Sequence, residues 1–223
     1  MEQGDFLSAR RGGVTREHVL SRFANQGEPA VRGASFGLGN RVIRGDHTLT
    51  PGADPPGHPL TPAAVLVGLV ERPNGLSILL TQRTAHLTDH AGQISFPGGR
   101  IEPSDPDPIH AALREAEEEV GLPPAHVEPI GRLDTWLTGT GFDITPIVGL
   151  VRVPYPMNPD PFEVAEVFEV PLDFILDSKN HHRQSREWKG RTRHFFVLPY
   201  ENRYIWGATA GMLVNLAEVL TSP

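Results

Sequence analysis

Five of the twelve residues from 51 to 62, PGADPPGHPLTP, are proline. Each proline lacks an amide donor and holds its own φ, so such a stretch neither continues a helix nor sits inside a sheet. It divides the chain into an N-terminal appendage with a linker, residues 1–62, and an expected compact domain, residues 63–223. In the appendage, Thr15 is placed to cap a short helix, TREHVLSRF, by accepting a free amide at the helix start. The Gly- and Arg-containing stretch beyond it has little periodicity, and the chain has no internal repeat.

Length and charge narrow the class of protein. At 223 residues the chain can bury a substantial core without staples. Twenty Lys and Arg against 27 Asp and Glu give a net charge of −7, a poor balance for non-specific binding to nucleic acid or an anionic membrane. With no cysteine, disulfides, thiolate nucleophiles and Cys-ligated metals are excluded. No apolar run reaches spanning length, and MEQGDFLSARRGG has no apolar signal core. A cytoplasmic, globular protein is expected, without nucleic-acid or membrane partners and with a homodimer left open.

The domain alternates between strand and helix signals. AAVLVGLV (63–70) suits a buried strand, Asn74-Gly75 a turn, and LSILLTQR (76–83) the second arm of a hairpin. QISF (93–96) reads as a short strand entering a turn at Pro97-Gly98-Gly99. A helix is expected over roughly 106–120, further strands over 127–136, 143–153, 163–170 and 191–198, and a final helix over 209–220. This is an α/β or mixed α+β sandwich with a mixed sheet.

The helix near 106–120 carries the chemistry. With Ile109 at zero and 100° per residue, Ala112, Leu113, Ala116 and Val120 fall in one buried stripe. Glu115 and Glu119 lie one turn apart beside its edge, and Glu118 lies farther toward solvent. Carboxylates at i and i+4 repel, and the helix C-terminal end is the wrong end for acids. A divalent cation turns that repulsion into attraction, and hard oxygen ligands favour Mg²⁺ or Mn²⁺. A solvated acidic face, with Arg114 paired to Glu118, is the plain alternative.

Gly99 together with REAEEEVGL (114–122) resembles the Nudix box, the loop–helix–loop signature of the Nudix hydrolases. The resemblance implies a Nudix-like α/β/α sandwich around that motif. It also implies an enzyme that cleaves a nucleoside diphosphate linked to another group. Glu115 and Glu119 would then be the main metal ligands, with Glu118 a further ligand or a contact to metal-bound water. Arg114 would be an organising ion-pair partner. Two departures stand out. Asp105, with five residues between it and Gly99, occupies the position where the family has Glu, and eight residues, not seven, separate it from Arg114. Asp105-Pro106 and Asp107-Pro108 each also suit a helix cap followed by a first-turn proline, so Asp105 is either the loop acid or a cap.

A second resemblance lies upstream. LLTQRTAHLTDHAGQISFPGG (79–99) is similar to the extension that marks coenzyme A pyrophosphatases among the Nudix hydrolases. Leu79, Leu80, Thr81, Arg83, His90, Gly92, Phe96, Pro97, Gly98 and Gly99 match it, whereas Thr88 stands where many members carry Arg. Segments 132–151 and 204–213 resemble later parts of those enzymes. The resemblance implies Mg²⁺- or Mn²⁺-dependent hydrolysis of coenzyme A or its thioesters to 3′,5′-ADP and 4′-phosphopantetheine or its acyl form. Two alternatives stay open: the same chemistry on ADP-ribose or NADH, and a non-catalytic ligand sensor of the same fold.

Other residues carry competing readings. Gly98 and Gly99 permit close backbone approach; the Gly99 carbonyl can complete a metal shell and neighbouring amides can meet phosphate, or the pair is an ordinary turn. Arg83 and His90 are candidates for substrate phosphate or pantetheine contacts, Arg83 the better because its fork matches phosphate oxygens. Otherwise they are a strand-end charge and a loop hydrogen bond. For the base that takes a proton from water, Glu163 ranks first, then Glu118, then Glu166. Strand alternation puts Glu166 on the opposite face from Glu163 and Glu169. Trp206 and Phe142 either stack on adenine or line a pantetheine channel, or else belong to the core, and the basic segment 181–191 reads as a solvated loop with a 3′-phosphate contact as the sharper alternative.

Overall fold

The computed structural model describes residues 13–24, 42–87, 90–188 and 190–222. In chain order the elements are α1 (Arg16–Phe23), β1 (Ile43–Gly45), α2 (Asp46–Leu49), β2 (Thr61–Arg72), β3 (Gly75–Arg83), β4 (Ile94–Ser95), β5 (Gly98–Arg100), α3 (Pro108–Val120), β6 (Val127–Arg132), β7 (Thr135–Leu137), β8 (Phe142–Val151), β9 (Val164–Pro171), α4 (Leu172–Leu176), β10 (His182–Trp188), β11 (Arg191–Tyr200), β12 (Arg203–Trp206) and α5 (Gly207–Thr221).

A nine-stranded sheet runs β1-β7-β8-β2-β3-β4, with β5 added to β2, β6 to β8 and β9 to β3. It is mixed, as expected: β2 and β8 pair in parallel from Thr61↔Phe142 to Val70↔Val151, and β1 is parallel to β7, while the remaining ladders are antiparallel. Period-two alternation sends successive side chains to opposite faces. Leu66, Val70 and Leu79 join Ala112, Ala116 and Val120 of α3 on one face. Val67, Leu69, Ile78 and Leu80 join α1, α4 and α5 on the other. A separate antiparallel sheet, β10-β11-β12, stands on the α5 side. The expected α/β sandwich is therefore present, with helices on both faces of a mixed sheet. Among the described residues no helix is long and apolar enough to cross a membrane.

The described parts of the N-terminal segment pack on this body. Thr15 caps α1 by accepting from the His18 amide, and Val19 and Phe23 are fully buried in the α5-side core. Arg16 pairs with Glu128 at 2.7 Å, and His18 Nε2 meets the Leu220 carbonyl. The proline-rich stretch is irregular up to Pro59, and β2 begins at Thr61, two residues before the expected strand.

Three local differences from expectation have physical causes. Gly98-Gly99 begins a strand instead of forming only a turn, because β5 pairs closely with Ala64 and Val65 of β2. The expected strand 127–136 is split into β6 and β7; at the break the Asp134 amide donates to Asn215 of α5, not to a neighbouring strand. The basic segment 181–191 is largely β10, paired along its length with β11.

Candidate active site

Helix α3 is held at both ends. Asp107 is its N-cap, accepting from the His110 amide at 2.9 Å, with Pro108 in the first turn. Gly121 closes it in the left-handed region at φ 71°. With the cap on Asp107, Asp105 lies in the loop ahead of the helix start. Both its oxygens take the Arg114 fork, at 3.1 Å to Nε and 3.0 Å to Nη2, and Oδ2 also accepts from the Glu102 amide. Arg114 holds the Asp105 carboxyl below the usual carboxylate range.

Arg114 spends its remaining donors on the helix carboxylates. Nη1 lies 2.9 Å from Glu115 Oε1 and 3.0 Å from Glu118 Oε2, and Nη2 donates to the Arg100 carbonyl. It thus ties the loop before α3, the end of β5 and two acids together. Glu118 is mostly exposed, as its position on the helix wheel requires. Glu115 is half-buried, and burial pushes its carboxyl up against the pull of Arg114.

Glu119 is the outlier of the site. Only 6% exposed, its carboxyl is pushed up to about 8 by burial, with nearby Glu115 and Glu163 adding to the effect. The Gly98 amide at 3.2 Å and Arg83 Nη1 at 3.7 Å offset this only in part. Gly98 and Gly99 make the approach possible. A Cβ on Gly99 would sit 2.6 Å from Glu115 Oε1, and one on Gly98 2.5 Å from the Ala64 carbonyl. The two glycines therefore bring bare backbone against the carboxylates, which a side chain would block.

Arg83, at the end of β3, stands between the helix and the start of β9: its Nη1 is also 3.8 Å from Glu163 Oε2. Glu115, Glu119, Glu163 and Arg83 consequently converge, joined to Glu118 through Arg114. Glu166 lies away from them, paired with Arg203 at 2.5 Å, and Glu169 is bound by Arg72 and Ser77. His90 has φ 58° and meets Gln93 Oε1 at 2.9 Å. Thr88 lies outside the described residues.

Beside this cluster opens a cavity of about 530 Å³ between the main sheet and the β10–β12 sheet. Arg83, His90, Gly98 and Gly99 line one part of it, and Phe142 and Trp206 another. Trp206 meets Phe195 edge-on at 5.5 Å. The helix carboxylates do not line the cavity themselves; they meet it through the two glycines and Arg83. Sequence reasoning missed Arg193 and Phe195 on its wall and left Arg186 within a segment read as a loop. The signal was the alternation in RTRHFFVL, which puts 193, 195 and 197 on one face.

The donor set bears on metal. Among the described residues no three His, Asp or Glu side chains are gathered tightly enough to hold an ion as they stand. The donors nonetheless fit a hard divalent cation. They are all oxygen, one is a buried carboxylate poorly compensated for its charge, and another lies against a backbone that glycine keeps bare.

The NUDIX domain family matches residues 59–189. The chain is 43% identical over 155 residues to a protein of Escherichia fergusonii described as uncharacterized Nudix hydrolase NudL, covering 70% of this chain and 80% of the relative. The protein of the same description from Escherichia coli K12 has the same identity and coverage. Among solved structures, the Nudix hydrolase RenU of M. smegmatis is 25% identical with a TM-score of 0.45, covering 54% of this chain and 76% of that one.

Proposed function

The chain belongs to the NUDIX family of hydrolases, which cleave diphosphate compounds with the help of divalent metal ions, and from that premise we propose that it hydrolyses the diphosphate of coenzyme A or its thioesters. The products are 3′,5′-ADP and 4′-phosphopantetheine or its acyl form. The observation that carries this reading is the junction at Gly98-Gly99. There the 79–99 stretch that resembles coenzyme A pyrophosphatases brings Arg83, His90 and the glycines to the cavity, with Arg83 and Gly98 against Glu119 and Gly99 against Glu115.

Glu115, Glu119, Glu118 and the Gly99 carbonyl would hold Mg²⁺ or Mn²⁺. Such an ion neutralises diphosphate charge and lowers the pKa of water bound to it. Arg83 presents its fork to a phosphate group from the cavity side, and His90 borders the same space. Glu163 faces Arg83 and remains partly open to solvent, so its carboxylate is placed to take the proton of the attacking water. Water adds to one phosphorus, the bridging P–O bond breaks, and the bridging oxygen leaves with the other half. Arg114 touches no substrate in this scheme: it positions Glu115 and Glu118 from behind.

The test is a product assay on the purified full chain with coenzyme A and Mg²⁺ or Mn²⁺, run beside ADP-ribose and NADH and resolved by ion exchange. Release of 3′,5′-ADP from coenzyme A, well ahead of turnover of the other two, is expected. Preferential cleavage of ADP-ribose or NADH overturns the substrate assignment, and binding of coenzyme A without turnover under either ion overturns the reaction.

A further inference from the structure

We propose that the β10–β11 wall of the cavity, through Arg186 and Arg193, is a subsite for a phosphate monoester that the ligand carries in addition to its diphosphate. The proposal rests on reading this cavity as the nucleotide site.

Arg186 and Arg193 are direct cross-strand partners, and both line the cavity. Like charges directly opposite on one face of an antiparallel pair destabilise it. The neighbouring acid does not relieve them: Glu187, one residue on, belongs to the other face, where it accepts from Thr192 Oγ1 at 2.9 Å. Asp46, on the cavity wall, is within electrostatic reach of Arg193.

The wall is also shaped here. Gly139, just after β7, lets the Arg193 guanidinium lie against the backbone: a Cβ there would sit 2.5 Å from Nη1. Beyond the arginines the next pair on the same face is Gln184↔Phe195, and Phe195 leads to Trp206. An aromatic surface therefore borders the two arginines, as a base beside a phosphorylated ribose requires. The arginines are also remote from the carboxylates. Across the sheet the order is β5-β2-β8-β7, so two strands separate Gly99 in β5 from the β7 end that carries Gly139. A ligand whose diphosphate lies at Gly98-Gly99 therefore meets the arginines with a part of itself other than that diphosphate.

Calorimetry of the full chain with adenosine 3′,5′-bisphosphate and with AMP, both in chelator, separates the subsite from the reaction. A charge-assisted phosphate contact is worth roughly ten-fold or more in affinity. The wild type is expected to prefer the bisphosphate by about that factor, and Arg186→Gln and Arg193→Gln each to pull the ratio toward one, with unchanged circular dichroism. A wild-type ratio near one, a ratio unmoved in both variants, or no binding of the bisphosphate overturns the subsite. If coenzyme A is not the preferred substrate yet the ratio responds to both arginines, the subsite stands and the substrate assignment falls. If coenzyme A is turned over and the ratio is one, the subsite alone falls.

Discussion

Replacing Glu119 with Gln is expected to stabilise the metal-free protein at alkaline pH while abolishing turnover. Burial on the inner face of α3 raises this carboxyl from 4.5 to about 8. Between those values the folded chain keeps a proton that the unfolded chain has lost. Stability therefore falls as pH rises through that interval and levels off above about 8. At about 1.36 kcal/mol per unit, the span amounts to about 5 kcal/mol at most. Glutamine retains an oxygen for the Gly98 amide and never ionises, so the variant lacks this slope. Urea unfolding of both proteins in chelator from pH 5 to 9 reads it directly. The curves should start close together at pH 5 and diverge, with the variant more stable at pH 9. Added Mn²⁺ should then raise the wild-type midpoint at pH 8 and leave the variant where it was, because an ion that binds only the folded state stabilises it by mass action. Parallel curves across the whole range would refute the argument that burial governs this group.

Three substitutions probe the scaffold around it. Gly99→Ala places a Cβ 2.6 Å from Glu115 Oε1; steady-state kinetics should show kcat falling by about a hundred-fold, the cost of a small misplacement of reacting groups, while the far-ultraviolet spectrum is unchanged. Arg114→Lys loses the planar fork to Asp105 and the links to Glu115 and Glu118. It should cost about 2 kcal/mol in chemical denaturation and lower kcat more than it raises KM. Asp107→Ala removes the cap on the His110 amide and should cost about 1 kcal/mol with little change in turnover.

How much of this was legible follows from where each signal sits along the chain. Helix α3 was readable because its determinants are local: an apolar stripe of period 3.6, a capping Asp followed by Pro, and Gly121 at its end. The β2–β3 hairpin was readable for the same reason, with Asn74-Gly75 between two apolar runs. Strand β5 was not, because glycine has no side chain to show alternation, and only the β2 backbone beside it makes Gly98-Gly99 extended. The β10–β12 sheet was half hidden: β12 is only the four residues RYIW, and His182-Arg-Gln-Ser-Arg-Glu-Trp188 of β10 has the composition of a solvated loop. Its arginines acquire meaning only when β11 sets Arg193 opposite Arg186.

Asp105 shows the limit most sharply. Spacing alone left it between a helix cap and a loop acid, since both Asp-Pro pairs suit a helix start. The structure gives the cap to Asp107, which leaves Asp105 one methylene shorter than Glu and one residue farther along the loop from Arg114 than the family pattern has it. The longer loop offsets the shorter side chain, and both oxygens still reach the guanidinium. Through that guanidinium Asp105 governs where Glu115 and Glu118 point, without standing among the candidate ligands. The shorter acid and the longer loop thus meet in an ion pair behind the helix carboxylates, whose Glu115 and Glu119 stand against Gly99 and Gly98.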